Sequence, residues 1–376
     1  MTRSVDLRHM RRALRLAERG RYRTSPNPMV GGVVVLDGEV VGEGWHRQVG
    51  GPHGEIEAMR AAGDRTRGAD LYVTLEPCNF HGRTPPCSKA VIEAGIRRVV
   101  ACHRDPNPKV AGGGFDRLRR AGVEVEVGLL ADRAVALNWR FLVQQTAGRP
   151  AVTLKWAMSL DGRIATPSGE SQWISSPRGR RWALDEREQH DAILVGSGTA
   201  LADDPRLNRR LDKAKGPIVR VILDRRLRLP PSAKLFDVPG PVLVYARPAA
   251  GDPGSRQRRG ALESRGATVV ELDDPTPAAV LRDLGGRGVQ SVLVEGGAEV
   301  GAAFARAGCF DRVAVCCAPK LITGSGAPGP LGGAGLDSLA EAPTLTDFEV
   351  HRRGPDVVLT AFRDSCLQDL YASVDI

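Results

Sequence analysis

Pro52-His53-Gly54-Glu55, followed by Pro77-Cys78-Asn79-Phe80-His81-Gly82-Arg83-Thr84-Pro85-Pro86-Cys87, is the stretch on which this sequence turns. One imidazole and two thiols are borderline-soft donors suited to Zn²⁺, and three protein ligands leave a fourth position open for water. A zinc ion held this way brings the pKa of its water down to about 7, which provides hydroxide at neutral pH. Glu55 lies two residues past the candidate ligand His53. It is close enough to move a proton between that water and a leaving group without binding the metal itself. The candidate ligands are therefore His53, Cys78 and Cys87, and the candidate catalytic group is Glu55.

His-x-Glu followed by Pro-Cys and a second Cys matches the zinc deaminase signature. Nucleic-acid deaminases space their cysteines Cys-x-x-Cys, whereas eight residues separate Cys78 from Cys87. Two blander readings compete. A closed structural zinc site wants a fourth protein ligand, which His81 offers. Inert core thiols with a solvent-facing His53 need no metal at all. Neither has a use for a glutamate two residues past a ligand, which favours the catalytic reading.

Composition narrows the class. A chain of 376 residues, 42% apolar and 26% charged, is long enough for two domains with separate cores. No apolar run approaches a membrane span, and the first residues lack the apolar core of a signal peptide. Seven cysteines in such a length are no disulfide framework, which implies a reducing cytoplasm. The net charge of +9, from 53 basic and 44 acidic residues, would suit nucleic acid. The basic residues are dispersed, however, with few aromatics between them to stack bases. Small phosphorylated ligands fit better.

Along the first half, apolar spacing predicts a helix over 5–19, broken by Ser25-Pro26-Asn27-Pro28. Asp37-Gly38 between two β-rich runs predicts a hairpin over 29–46. Asn27 just before it and His46 at its end would face one pocket, although a turn residue and a surface imidazole explain them equally well. A helix over 53–62 would present His53 and Glu55 from its first turn, where the helix dipole favours a carboxylate. A strand over 70–75 delivers Cys78, and Cys87 opens a helix to 94. A strand over 98–102, a helix over 115–121 and a strand over 123–127 follow, giving an α/β sandwich.

Ser25-Pro26-Asn27-Pro28-Met29-Val30-Gly31, Gly42-Glu43-Gly44-Trp45-His46, the 53–87 stretch and Asp105-Pro106-Asn107-Pro108-Lys109-Val110 together resemble the deaminase half of the bifunctional riboflavin-biosynthesis deaminase/reductases. The long Cys78–Cys87 loop with Gly82-Arg83-Thr84-Pro85-Pro86 is particular to that family. The resemblance implies a cytidine-deaminase-like α/β/α sandwich acting on 2,5-diamino-6-ribosylamino-4(3H)-pyrimidinone 5′-phosphate. It gives zinc to His53, Cys78 and Cys87, proton transfer to Glu55, and substrate contacts to Asn27, His46 and Arg83. Gly54 stands where alanine is usual, and Arg83 where lysine also occurs; both keep the needed size or charge.

Thr146-Ala147-Gly148-Arg149-Pro150 punctuates the chain, dividing a domain at 1–146 from one at 150–364 and leaving a tail at 365–376. The second half predicts a strand over 151–159 running into a turn and a second short strand by 165. Ser176 should cap a helix that starts at Pro177 and runs to 188. Further strands fall at 192–199, 219–223, 242–245, 267–272, 291–294 and 312–317. Gly196-Ser197-Gly198 fails as a dinucleotide fingerprint because Leu201 replaces the third glycine. Glu295-Gly296-Gly297 between a strand and a helix is either a phosphate cradle or an ordinary turn. Arginines at 225–226 would suit a 2′-phosphate or a solvated loop.

Lys155-Trp156-Ala157-Met158-Ser159-Leu160-Asp161-Gly162, Gly169-Glu170-Ser171-Gln172-Trp173-Ile174 and Thr199-Ala200-Leu201-Ala202-Asp203-Asp204-Pro205-Arg206-Leu207 resemble the reductase half of the same family. That resemblance implies a dihydrofolate-reductase-like α/β domain using NADPH. It gives Lys155, Met158, Trp173, Thr199, Asp203, Arg225 and Gly297 to the cofactor. Ser171, Arg187, Leu207, Arg210 and Glu295 go to the phosphorylated substrate. Arg225 departs from the family, where a small hydroxyl residue is frequent. The chain is thus expected to be a cytoplasmic homo-oligomer with a phosphorylated pyrimidine as partner and neither nucleic acid nor membrane. An RNA-modifying deaminase, or a zinc-stabilised scaffold without activity, are the alternatives from other classes.

Overall fold

The computed structural model describes residues 3–80, 85–107, 110, 113–214, 216–247 and 253–375. Contacts divide the chain into two compact units, Met1–Gly148 with Gln368–Ile376, and Arg149–Leu367.

The first unit is built on a five-stranded sheet. Its strands are β1 (Gly31–Leu36), β2 (Glu39–Trp45), β3 (Asp70–Val73), β4 (Arg98–Ala101) and β5 (Glu124–Val127), in the order β2-β1-β3-β4-β5. Asp37 and Gly38 both take positive φ, which turns the β1–β2 hairpin tightly. β1 runs antiparallel to β2 and β3, whereas β3, β4 and β5 are parallel. Alternation along β1 sends Val34 to one face and Val33 and Val35 to the other. On Val34's side lie α2 (Gly54–Ala62), α3 (Cys87–Glu93) and α4 (Gly113–Arg120), through Ala58, Met59, Val91, Phe115 and Leu118. On the other lie α1 (Arg3–Ala17) and α5 (Ala131–Ala147), through Met10, Ala13, Leu14 and Ala134. This is the three-layer sandwich expected. Helix α5 went unread in the sequence, although Val135, Trp139, Leu142 and Val143 are all buried at helical spacing.

Glycine lets the helices close on this sheet. A Cβ on Gly31 would sit 2.1 Å from the Ala13 carbonyl of α1, and one on Gly42 would sit 2.2 Å from the Ala58 carbonyl of α2. Because the obstacle is backbone in each case, no rotamer change relieves it.

In the second unit, β6 (Ala151–Ser159), β7 (Ala192–Gly196), β8 (Val219–Leu223), β9 (Val242–Ala246), β10 (Ala267–Glu271), β11 (Ser291–Val294) and β12 (Arg312–Ala318) form a parallel sheet. Antiparallel β13 (Leu345–Arg353) and β14 (Asp356–Arg363) extend it, in the order β10-β9-β8-β7-β11-β6-β12-β14-β13. Connections run through α6 (Pro177–Glu188), α7 (Ser197–Asp203), α8 (Pro253–Glu263), α9 (Pro277–Gly286) and α10 (Ala298–Arg306). Ser176 caps α6 as expected, accepting from the Gly179 N–H at 3.3 Å with Pro177 in the first turn.

Three sequence expectations need correction. The short strand by 165 does not form. Asp161 instead accepts the Ser159 hydroxyl at 2.6 Å and the Ile322 and Thr323 N–H groups at 3.0 and 2.7 Å, so the chain turns rather than extends. The strand at 192–199 stops at Gly196, because Ser197 begins α7. The segment left as a tail is largely helical, α11 (Asp364–Ser373), with Cys366, Leu367 and Leu370 buried. Strands β13 and β14 also escaped the reading, and β13 is exposed along most of its length, with no buried face to mark it.

Gly31→Ala should lower the urea stability of the first unit by about 1–3 kcal/mol, the cost of overpacking. Gly260→Ala inside α8, where a Cβ meets open space, should instead be neutral or stabilising by up to about 1 kcal/mol. Equal effects would contradict the close helix approach.

Candidate functional site

His53 is the residue at which the chain enters α2, with extended φ/ψ and no side-chain capping bond, so its ring is free to serve elsewhere. Cys78 follows β3, and Cys87 is the first residue of α3; the Cys87 backbone N–H lies 3.4 Å from Cys78 Sγ and favours a thiolate there. His53 Nδ1 lies 3.3 Å from Cys87 Sγ and 3.8 Å from Cys78 Sγ, and the three donor atoms all fall within 4.8 Å of one another. Zinc bonds of about 2.0–2.3 Å in a tetrahedron set ligand edges of about 3.5–3.8 Å, so the donor set fits zinc in number, type and spacing. Among the described residues no other His, Cys, Asp and Glu group has this closeness. Both His81 and Arg83 lie outside the described residues.

Glu55 stands over this cluster from the first turn of α2. It is 2% exposed, with Oε1 3.9 Å from His53 Nδ1 and Oε2 buried without a hydrogen-bond partner. Burial pushes its carboxyl above the ordinary glutamate range. An orphaned buried oxygen beside three metal donors is a place for a proton in transit.

The structure brings two more sequence candidates to the same place. His46 is buried, and its ring meets that of His53 edge-on with centroids 5.2 Å apart. Its Nδ1 lies 2.8 Å from the Pro52 carbonyl and its Nε2 lies 3.2 Å from Asn27 Nδ2. Burial lowers the His46 pKa, and His53 lowers it further.

Two carboxyls near the cluster were given no role in the sequence reading. Glu76 is buried and accepts the N–H groups of Asp105, Gly114 and Phe115 at 3.1, 2.9 and 3.1 Å. It thereby ties the Cys78 turn to the start of α4. Burial raises Asp105 to about 7, against the lowering by the Asn107 N–H. An acid directly before Pro77-Cys78 was the signal for Glu76.

A second site opens in the other unit at the carboxyl ends of β6, β7 and β11, where a parallel sheet places its ligands. A cavity of about 450 Å³ there is lined by Lys155, Ser171, Thr199, Asp203, Glu295 and Gly297 among others. Thr199 Oγ1 accepts the Gly297 N–H at 3.0 Å, which fixes the glycine turn ahead of α10. Glu295 is reached by Arg187 at 2.9 Å and by Lys155 at 3.9 Å. Burial would raise Glu295, but these two cations hold its carboxyl at about 2. An adjoining cavity of about 600 Å³ shares Gly196, Gly198, Glu299 and Val300 with the first and adds Arg225, Arg226, Arg228 and Arg306.

Five sequence candidates stand off the cavity walls. Arg187 joins through Glu295, and its Nη1 also donates to the Asn208 carbonyl at 3.0 Å. Arg210 Nε is 3.4 Å from Asn208 Oδ1, and burial, then Arg187, lowers its pKa. Leu207 is buried with positive φ, Met158 pairs with Cys317 across the sheet, and Trp173 is 60% exposed beneath the Arg180 guanidinium.

Comparison with known proteins matches residues 3–103 to the cytidine and deoxycytidylate deaminase zinc-binding region and 150–359 to the RibD C-terminal domain. The riboflavin biosynthesis protein RibD of Bacillus amyloliquefaciens is 45% identical, over 94% of this chain and 95% of its own. That of Escherichia coli K12 is 43% identical, over 94% and 98%. Acinetobacter baumannii RibD superposes with a TM-score of 0.85 at 38% identity, covering 96% of this chain and 99% of its own. The Thermotoga maritima diaminohydroxyphosphoribosylaminopyrimidine deaminase/5-amino-6-(5-phosphoribosylamino)uracil reductase does so at 0.82 and 35%, with the same coverage. With zinc donors clustered in one unit and a cavity at the strand ends of the other, the chain belongs to the RibD family of riboflavin biosynthesis proteins and is a bifunctional enzyme, a zinc deaminase followed by an NADPH-dependent reductase.

Proposed function

We propose that residues 1–146 deaminate 2,5-diamino-6-ribosylamino-4(3H)-pyrimidinone 5′-phosphate and that residues 150–364 then reduce the ribosyl side chain to ribityl. The observation carrying this reading is the unpaired Glu55 Oε2 beside the His53, Cys78 and Cys87 donors. Bound zinc supplies the nucleophile for hydrolysis at neutral pH. Hydrolysis adds water across the carbon bearing the 2-amino group and releases ammonia. Glu55 takes one water proton at Oε2 and returns it to a ring nitrogen, then takes the proton of the added hydroxyl as the carbonyl forms and delivers it to the departing amine. A raised carboxyl pKa suits a group that must hold each proton briefly. Asn27, His46 and Arg83 hold the substrate.

In the reductase half, NADPH supplies the hydride. Lys155, Met158, Trp173, Thr199, Asp203, Arg225 and Gly297 hold the cofactor. Gly297 offers backbone N–H at the start of α10 to phosphate. Ser171, Arg187, Leu207, Arg210 and Glu295 hold the phosphorylated pyrimidine. Glu295, kept ionised by Arg187 and Lys155, presents an acceptor to substrate hydroxyls and fixes the sugar against the nicotinamide. The arginines around Arg225 suit the 2′-phosphate that separates NADPH from NADH. The protein works as a cytoplasmic homo-oligomer on this small substrate, without nucleic acid or membrane; among the described residues no helix is long and apolar enough to cross a bilayer.

Glu55→Gln should cut ammonia release by about 10²–10⁴-fold while zinc content and NADPH oxidation on pre-deaminated substrate persist. Loss of both activities together would contradict separate sites. Arg225→Ala should raise KM for NADPH about tenfold and leave KM for NADH unchanged, as removal of one charge-assisted phosphate contact requires. An equal rise for both would remove Arg225 from the phosphate site.

A further inference from the structure

Strand β12 ends at Ala318, beside the carboxyl end of its parallel neighbour β6, where the reductase cavity opens. Shortly after it, Lys320 to Gly333 is a strap with five glycines and two prolines that forms neither helix nor strand. Only Ala327 in it is buried. Such a segment has no core of its own, and ordering it costs conformational entropy. Bonds to two other parts of the unit hold it. Near its start, Asp161 in the turn after β6 accepts the Ile322 N–H at Oδ1 (3.0 Å) and the Thr323 N–H at Oδ2 (2.7 Å). The buried Ser159 hydroxyl donates to Asp161 Oδ1 at 2.6 Å, and together these donors hold the Asp161 carboxyl at about 2. From the same turn, Arg163 Nη1 donates to the Ala327 carbonyl at 2.8 Å and the Ile164 N–H to the Pro328 carbonyl at 3.0 Å. At the far end, the Gly332 N–H donates to the Ala298 carbonyl at 3.0 Å and the Gly333 N–H to Glu299 Oε1 at 3.2 Å. Ile164 and Ala165 line the cavity from the turn, and Ala298 and Glu299 line it from the first turn of α10.

We propose that Asp161 is a positioning residue of the reductase: by anchoring the strap at 320–333 it holds the two cavity walls, the turn bearing Ile164 and the first turn of α10, in the arrangement that accepts NADPH. The inference rests on the reductase reading given above and adds to it the residue that keeps the site assembled. Asp161 is not itself among the residues lining the cavity, so it touches neither cofactor nor substrate there. A strap without its anchor spends only part of its time in the accepting arrangement. Apparent affinity then falls by that fraction, while chemistry in an occupied site is unaltered. Asp161 therefore acts on KM and leaves kcat alone.

Amide hydrogen exchange on the zinc-loaded full chain reads the strap directly. Asp161→Ala should speed exchange about tenfold at Ile322 and Thr323 and also at Gly332 and Gly333, with β6 and β12 as slow as before. KM for NADPH should rise about tenfold and kcat for its oxidation stay within about twofold, while ammonia release and zinc content are unaltered. Asp161→Asn, which keeps one acceptor oxygen, should fall between the two. Should β6 and β12 also exchange faster in Asp161→Ala, the fold of that variant is damaged and Asp161→Asn decides by the same measurements. Faster exchange confined to Ile322 and Thr323 with KM unchanged, or a fall in kcat at constant KM, overturns the inference. An unaltered chain that oxidises no NADPH with the deaminated pyrimidine sinks the reductase reading instead, and exchange at Gly332 and Gly333 still decides whether Asp161 holds the strap.

Discussion

A carboxylate taken out of water needs something to answer its charge. Glu55 is almost wholly buried, one oxygen has no protein partner, and the nearest cation-forming group is the His53 imidazole. The first unit is arranged around supporting that costly group. Helix α2 begins directly after His53, so one turn of backbone sets both the imidazole and the carboxylate. The strand β3 and the helix α3 bring two thiols from 25 and 34 residues away to the same point. Without the metal these donors demand, the arrangement would be a cluster of buried polar groups with no energetic reason to persist.

Close backbone approach makes that convergence attainable. Gly31 and Gly42 let α1 and α2 lie against opposite faces of the hairpin at distances that any side chain would block. The same approach holds Gly54 against the Val30 carbonyl, where a Cβ would come within 2.4 Å. Glu76 performs a related task on the other side, gathering three backbone N–H groups so that the Cys78 turn and α4 keep their places.

The second unit answers a buried charge differently. Glu295 is paired twice, with Arg187 and Lys155, and stays ionised. On the proposed reading, the group that moves protons is left unpaired and the group that holds position is locked by opposite charge. The contrast between Glu55 and Glu295 separates the two chemistries within one chain.

Residue type and short spacing carried the zinc donors, Glu55, the β1–β2 hairpin and the α6 cap, because each depends on contacts a few residues apart or on chemistry peculiar to His, Cys and Glu. Helix α5 was equally written in the sequence and was overlooked. Strand β13 is exposed along most of its length and has no buried face to mark it, and Glu76 looked like one more acid. Read from their residues alone, Asn27 and His46 had no standing above a turn residue and a surface imidazole; only the family resemblance paired them, and folding sets them 3.2 Å apart. The sequence by itself therefore determined which atoms can bind zinc and which can carry a proton, since those are properties of side chains. Only the tertiary structure decided that Glu55 is stripped of water and that Glu295 is not left alone. Desolvation and pairing depend on what the rest of the chain packs around a group, and no local stretch contains that information.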